Sequence, residues 1–186
     1  MLPERESAPL HRLIRSHAPA DAKEEADKKT ILAFLESGGD PFDRKRYDPG
    51  HLTGSAFIVD ARRENLLLVH HVKLDRWLQP GGHGEPGETD PFVVALREAE
   101  EETGIPDLVP YPNALPFDLD VHEIPARKNE PAHLHLDIRY LLVAPADATP
   151  HASSESKGIA WKPLDEILRT SPEGGTKRAV AKILRL

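Results

Sequence analysis

Gly81-Gly82-His83-Gly84-Glu85-Pro86-Gly87-Glu88 leads through a short connection into Arg97-Glu98-Ala99-Glu100-Glu101-Glu102-Thr103-Gly104-Ile105. Asp90 and Pro91 are an N-cap and a first-turn proline, and Gly104 is a helix stop, so the spacing predicts a helix over Pro91 to Thr103. Glu98, Glu101 and Glu102 stand at i, i+3 and i+4 and share one face of that helix. Phe92, Ala95, Leu96 and Ala99 form the other face, which can pack on a sheet. Carboxylates on adjacent turns repel: at ~4 Å a pair costs about 1 kcal/mol in water and about 4 kcal/mol at an effective dielectric of 20. A divalent cation reverses the sign of that interaction, and hard oxygen donors suit Mg2+ or Mn2+. A solvated acidic face is the plain alternative. The glycine-rich loop ahead of the helix weighs against it, because glycines let backbone approach a bound group closely.

The segment resembles the Nudix box, G-x5-E-x7-R-E-U-x-E-E-x-G-U with U aliphatic. Gly82, Glu88, Arg97, Glu98, Ala99, Glu101, Glu102, Gly104 and Ile105 fall on its defined positions. One departure stands out: eight residues, not seven, separate Glu88 from Arg97. Counting the helix from Pro91 assigns the extra residue to Thr89-Asp90, in the loop. Trp77-Leu78-Gln79-Pro80 before the box and Trp161-Lys162-Pro163 after it also fit the family.

The resemblance implies an α+β Nudix fold, a mixed sheet sandwiched between helices with the box as loop–helix–loop. It implies divalent-metal-dependent hydrolysis of the diphosphate bond in a nucleoside diphosphate linked to another moiety, by in-line attack of water on phosphorus. Mg2+ or Mn2+ would be held by Glu98, Glu101 and Glu102, with the Gly81 carbonyl as a further ligand. Arg97 would orient the carboxylates, and Glu88 would be a supporting partner. Glu98 and Glu155 are both candidates for general base; Glu155 lies in a polar stretch six residues before Trp161. The catalytic set expected is therefore Glu98, Glu102, Arg97 and Glu155. The alternative function is a non-catalytic Nudix-fold nucleotide-binding or regulatory module, but such members tend to lose box glutamates. An isomerase resembling isopentenyl diphosphate isomerase would need a reactive cysteine, and the chain has none.

Working outward, His133, His135, Asp137 and Arg139 alternate with Leu134, Leu136, Ile138 and Tyr140, which puts the polar set on one strand face. Such a face suits a cleft. Substrate contact is the expectation for His133, His135, Asp137 and Arg139, together with His83 in the glycine loop and Arg127 in a basic loop. Two imidazoles and a carboxylate could instead bind a transition metal, or simply form a hydrated sheet face. Trp77 is read as core packed under the box.

Residues 1–50 read as a helical extension, with helices near Leu10–Ile14 and over about 22–37, the latter capped by Asp21 and stopped by Gly38-Gly39. Residues 51–186 read as the main domain. Strands are expected at 52–59, 65–70, 117–122 and 133–144, and helices at 164–170 and 174–185. With 24 Lys and Arg against 31 Asp and Glu the formal charge is −7, which disfavours long nucleic acid as a partner. A small nucleotide-type diphosphate is the partner expected. No apolar run approaches a membrane span of about 20 residues, and no apolar signal core follows Met1-Leu2-Pro3, so a soluble, cytoplasmic chain is expected. Homodimers are common in the family; no residue here establishes one.

Overall fold

A computed structural model describes residues 7–154 and 156–186. The N-terminal residues read for a signal core, and Glu155, lie outside the described residues. Helices α1 (Ser7–Ser16) and α2 (Ala22–Glu36) come first, then strands β1 (Gly50–Val59), β2 (Asn65–His71), β3 (Arg76–Leu78) and β4 (Gly81–His83). Helix α3 (Pro91–Thr103) precedes β5 (Val109–Pro110), β6 (Asp118–Ile124), β7 (His133–Val143) and β8 (Ser156–Pro163), and α4 (Leu164–Thr170) and α5 (Gly174–Ile183) close the chain.

The two longest strands, β1 and β7, pair in parallel at the centre of a mixed sheet. Antiparallel neighbours complete it: β2 and β4 on β1, β5 and β6 on β7, and β3 and β8 on β2. Period-two alternation divides the apolar residues between the sheet's faces. Ala56, Ile58, Leu67 and Leu142 pack with Ala99 of α3 and with Ile105. Phe57, Val59, Leu66, Leu68 and Leu141 pack with Leu164 and Ile167 of α4 and with Ala179, Val180 and Ile183 of α5. The sheet is thus covered on both faces, the α+β sandwich expected.

Helices α1 and α2 share their core with the sheet. Leu10, Ile14, Ile31, Phe34 and Leu35 cluster with Leu52, Val94, Leu119, Leu136 and Tyr140. Ile14 and Ile31 are fully buried, and burying a side chain of this size is worth about 1.5–3 kcal/mol. Asp21 caps α2 by accepting from the Glu24 amide at 2.8 Å. Glu24 then works as a buried clip. Its carboxylate accepts from the Ala20 and Leu119 amides and from Lys182 Nζ of α5, and it meets His17 Nε2 at 2.7 Å.

Three local expectations change. Gly81–His83, read as a sharp loop, forms β4, because its backbone pairs with Thr53–Ser55 of β1. The stretch from Glu155 to Trp161, read as a polar loop, enters β8 at Ser156. Its sequence lacks clear apolar alternation because it pairs with β2 and remains half-exposed. Trp77, read as core, lies on β3 and is 37% exposed, its ring stacked on His70 at 5.0 Å between centroids.

Candidate active site

Helix α3 is bounded as its sequence requires: Asp90 accepts from the Phe92 amide, Pro91 opens the first turn, and Gly104 closes it in the left-handed conformation at φ 65°. With the register set, Arg97, Glu98, Glu101 and Glu102 line one cleft of about 1200 Å³ with the Gly81-Gly82 backbone. Arg97 is the hub. Its Nε and Nη2 donate to the two Glu88 oxygens at 3.0 Å each, and Nη1 donates to Glu98 at 3.0 Å and to Glu101 at 3.1 Å. Nη2 also donates to the His83 carbonyl at 2.9 Å, which ties the helix to β4. The Arg97 hydrogen bond holds the Glu88 carboxyl below its ordinary range. The reciprocal contact raises Arg97 further above an already high value.

The glutamates lie against bare backbone. A Cβ added at Gly82 would stand 2.6 Å from Glu98 Oε1, so only glycine admits this carboxylate. The Gly81 amide points to Glu102 Oε1 at 3.5 Å. All the donors gathered here are oxygens, from carboxylates and backbone, and this chemistry fits Mg2+ or Mn2+.

The opposite wall follows from strand register. On one sheet face, His51 of β1 lies beside His135 of β7, which lies beside His122 of β6. The next row on that face is Thr53, Asp137 and Asp120, and the next is Ser55, Arg139 and Asp118. Polarity therefore changes in steps, from imidazoles in the cleft to a buried ionic layer. His83 and His133 join the first row: ring centroids lie 5.0 Å apart for His51–His83 and for His51–His133, and 4.9 Å apart for His83–His135. Burial and neighbouring imidazoles push His83 down to about 4 and His135 down to about 2. Burial also lowers His51. His83 and His135 are therefore neutral imidazoles at neutral pH. Arg44, Lys45, Lys73 and Arg127 also border the cleft, alongside Asp40, Asp43, Glu85 and Glu130.

The expected residues separate into groups. Gly81, His83, Arg97, Glu98, Glu101, Glu102, Arg127, His133, His135 and Asp137 all border the cleft. Asp137 does so with its oxygens engaged by Thr53, Ser55 and Arg139. Arg139 is absent from the cleft lining. It is buried and donates to Asp137 at 2.7 Å and Asp120 at 3.0 Å, so it has no free guanidinium edge for a substrate. Strand periodicity put it on the right face, but α5 covers that end of the strand: a Cβ on Gly175 would lie 2.5 Å from its Nη1. Glu155 lies outside the described residues. Sequence reasoning missed His51. Its one local signal is the polar set His51, Thr53 and Ser55 at period two within a strand that reads as apolar.

A mixed sheet between helices, with a glutamate-faced helix opening on a large cleft, defines a class, and comparison with known proteins gives its family. The NUDIX domain model matches residues 51–183. The chain belongs to the Nudix family. It is 33% identical over 114 residues to a probable DHNTP pyrophosphohydrolase of Lactococcus lactis subsp. cremoris, covering 60% of this chain and 65% of that protein. It is 33% identical over 129 residues to the CMP-5'-(N-acetyl-N-hydroxy-3-aminopropyl)phosphonate hydrolase of Streptomyces rubellomurinus, covering 66% of this chain and 57% of that protein. The chain thus spans less than two thirds of the length of these curated relatives. A C. elegans Ap4A hydrolase structure superposes with a TM-score of 0.58 at 18% identity, over 72% of this chain and 95% of that one, a likeness of fold. No helix among the described residues is long and apolar enough to cross a membrane.

Proposed function

We propose that this protein hydrolyses the diphosphate bond of a nucleoside diphosphate linked to another moiety, using Mg2+ or Mn2+. The observation that carries the reading is that Glu98, Glu101 and Glu102 line one cleft, with Glu98 against Gly82 and Glu102 beside the Gly81 amide. Relatives named as pyrophosphohydrolases and nucleotide-phosphonate hydrolases support it.

Glu98, Glu101, Glu102 and the Gly81 carbonyl would hold the ion. When bound, it neutralises diphosphate charge and lowers the pKa of water. Arg97 holds Glu98 and Glu101 in place by charge-assisted hydrogen bonds, which removes their freedom to turn away. Arg44, Lys45, Lys73 and Arg127 of the lining offer an anionic substrate its cationic partners. His83, His133 and His135 face the substrate from the other wall, and Arg127 meets it at the mouth; Asp137, its oxygens taken by Thr53, Ser55 and Arg139, supports that wall. The water oxygen bonds to one phosphorus in line with the departing bridge oxygen, which leaves on the other phosphoryl group. Glu98 takes the proton of that water; Glu155 is the rival base, and Glu98→Gln against Glu155→Gln separates them.

The test is a panel of nucleoside diphosphate compounds, with released phosphomonoesters read through a coupled phosphatase, beside Glu102→Gln as control. Turnover that needs Mg2+ or Mn2+ and disappears in the variant supports the reading. Silence across the panel from folded, metal-loaded protein overturns it in favour of a binding module.

A further inference from the structure

The imidazole wall contains one ring, His51, that the proposed hydrolase chemistry does not use. His51 is 1% exposed, and its Nε2 is buried with no hydrogen-bond partner among the described residues. An unpaired buried polar atom costs about 1–3 kcal/mol, so one held inside a packed sheet calls for a ligand. The other nitrogen of this ring, Nδ1, lies 3.2 Å from the Arg46 carbonyl. His133 repeats the arrangement, with Nδ1 2.8 Å from the Pro131 carbonyl. A carbonyl only accepts, so Nδ1 carries the proton in both rings and Nε2 presents a lone pair. Metal-binding histidines characteristically donate their second ring nitrogen to such a partner, which fixes tautomer and orientation.

His135 completes a set; its Nε2 now lies 3.2 Å from His83 Nε2, a contact that a bound ion would replace. One ring nitrogen each from His51, His133 and His135 lies within 4.8 Å of the others. Ring centroids stand 5.0 Å apart for His51–His135 and 5.4 Å for His133–His135. The sheet brings them together: His51 and His135 are direct partners in the parallel β1–β7 register, and His133 is two residues along the same face of β7.

We propose that His51, His133 and His135 bind a divalent transition-metal ion of the zinc class, with the fourth position open to the cleft. The donors are borderline nitrogens, so this site differs in preference from the oxygen donors of α3: imidazole selects zinc-type ions and leaves Mg2+ to the carboxylates. Zinc–nitrogen bonds of about 2.0–2.1 Å put tetrahedral nitrogens about 3.4 Å apart, so the rings close by about 1.5 Å at most, within reach of small side-chain rotations. Asp137 is not a member, since Thr53, Ser55 and Arg139 already occupy its oxygens. The open position takes an oxygen of water or of an anionic ligand in the cleft. The proposal stands whether or not the protein hydrolyses diphosphates.

The test uses untagged full-length protein, stripped with chelator and dialysed against Zn2+ in the presence of excess Mg2+. Elemental analysis gives stoichiometry, competition with a chromophoric chelator gives affinity, and Co2+ loading gives a visible spectrum. The result expected is one zinc per chain and the intense visible bands of tetrahedral cobalt. Zinc affinity should fall at least about a hundred-fold in His133→Ala and His135→Ala, since even outer partners of a metal are worth 10- to 100-fold. Glu102→Gln should keep zinc. His51→Asn, checked for folding by circular dichroism, should lose it; the half-buried His135 keeps the test decisive if that variant unfolds. No retained zinc, or zinc lost with Glu102→Gln and kept in His133→Ala and His135→Ala, overturns the site.

Discussion

The Glu88 carboxylate takes Nε and Nη2 of Arg97 in a two-pronged contact, both at 3.0 Å, across the loop that enters α3. The contact forms although one residue more than the Nudix pattern separates the pair. The extra residue is absorbed at Thr89-Asp90, before the helix, where Asp90 caps the first turn. Helix register is therefore untouched, and Arg97 still reaches Glu98 and Glu101. Glu88→Gln should cost about 1–2 kcal/mol in denaturant unfolding, the scale of a charge-assisted hydrogen bond that is partly exposed. Turnover should fall with it, because Arg97 would no longer be anchored; unchanged turnover would show that Glu98 and Glu101 do not depend on this anchor.

Glu102 bears on metal binding rather than on folding. Glu102→Gln should leave the melting temperature within a degree or two and lower kcat by about 10²–10³, the scale of losing one preorganised electrostatic group. Wild-type turnover at saturating Mg2+ would remove Glu102 from the ligand set.

Gly82 tests the carboxylate cradle. Gly82→Ala puts a methyl 2.6 Å from Glu98 Oε1, the far end of a flexible side chain. The carboxylate can swing aside, so stability should change by less than about 1 kcal/mol. The swing displaces Glu98 from the cleft, and the Mg2+ concentration for half-maximal activity should rise at least several-fold.

Arg139 distinguishes structure from substrate contact. It is buried between Asp118, Asp120 and Asp137. Arg139→Ala leaves buried carboxylates uncompensated and should cost about 3–5 kcal/mol. A variant of near-normal stability with a raised KM would instead return Arg139 to the cleft.

Acid should open the clip at Glu24. Burial opposes ionisation there, but hydrogen bonds from His17, Lys182 and the Ala20 amide outweigh it and hold this carboxyl far below its ordinary value near 4.5. A folded-state pKa below the unfolded one contributes stability that is fully present above about 4.5 and is lost as pH falls below it. Unfolding free energy followed from pH 6 to 3 should drop, and Glu24→Gln, less stable at pH 6, should show a shallower drop. Parallel curves would place the acid sensitivity elsewhere.

Much of the fold was legible because its signals are local. The cap, proline and glycine of α3 delimit it within the sequence, and 3.6-residue periodicity alone places the three glutamates on one face. The short strands were not legible. β4 contains two glycines and β8 is half-exposed, so neither has an apolar pattern, and both exist because longer strands offer them unpaired backbone. Trp77 misled for a related reason: a large ring signals burial, but on edge strand β3 it is covered only in part, by His70 and Lys162.

By itself, then, the sequence determined the glutamate-faced helix, its glycine-rich approach and the polar face of β7, each a matter of neighbouring residues and fixed periodicity. Only the tertiary structure decided what that polar face does. The parallel pairing of β1 with β7 sets His51 beside His135, and the cover of α5 turns Arg139 into part of a buried ionic layer. Both depend on strand register and layer packing between segments far apart in the chain, where one slipped residue would reverse every side chain; no local rule carries that information.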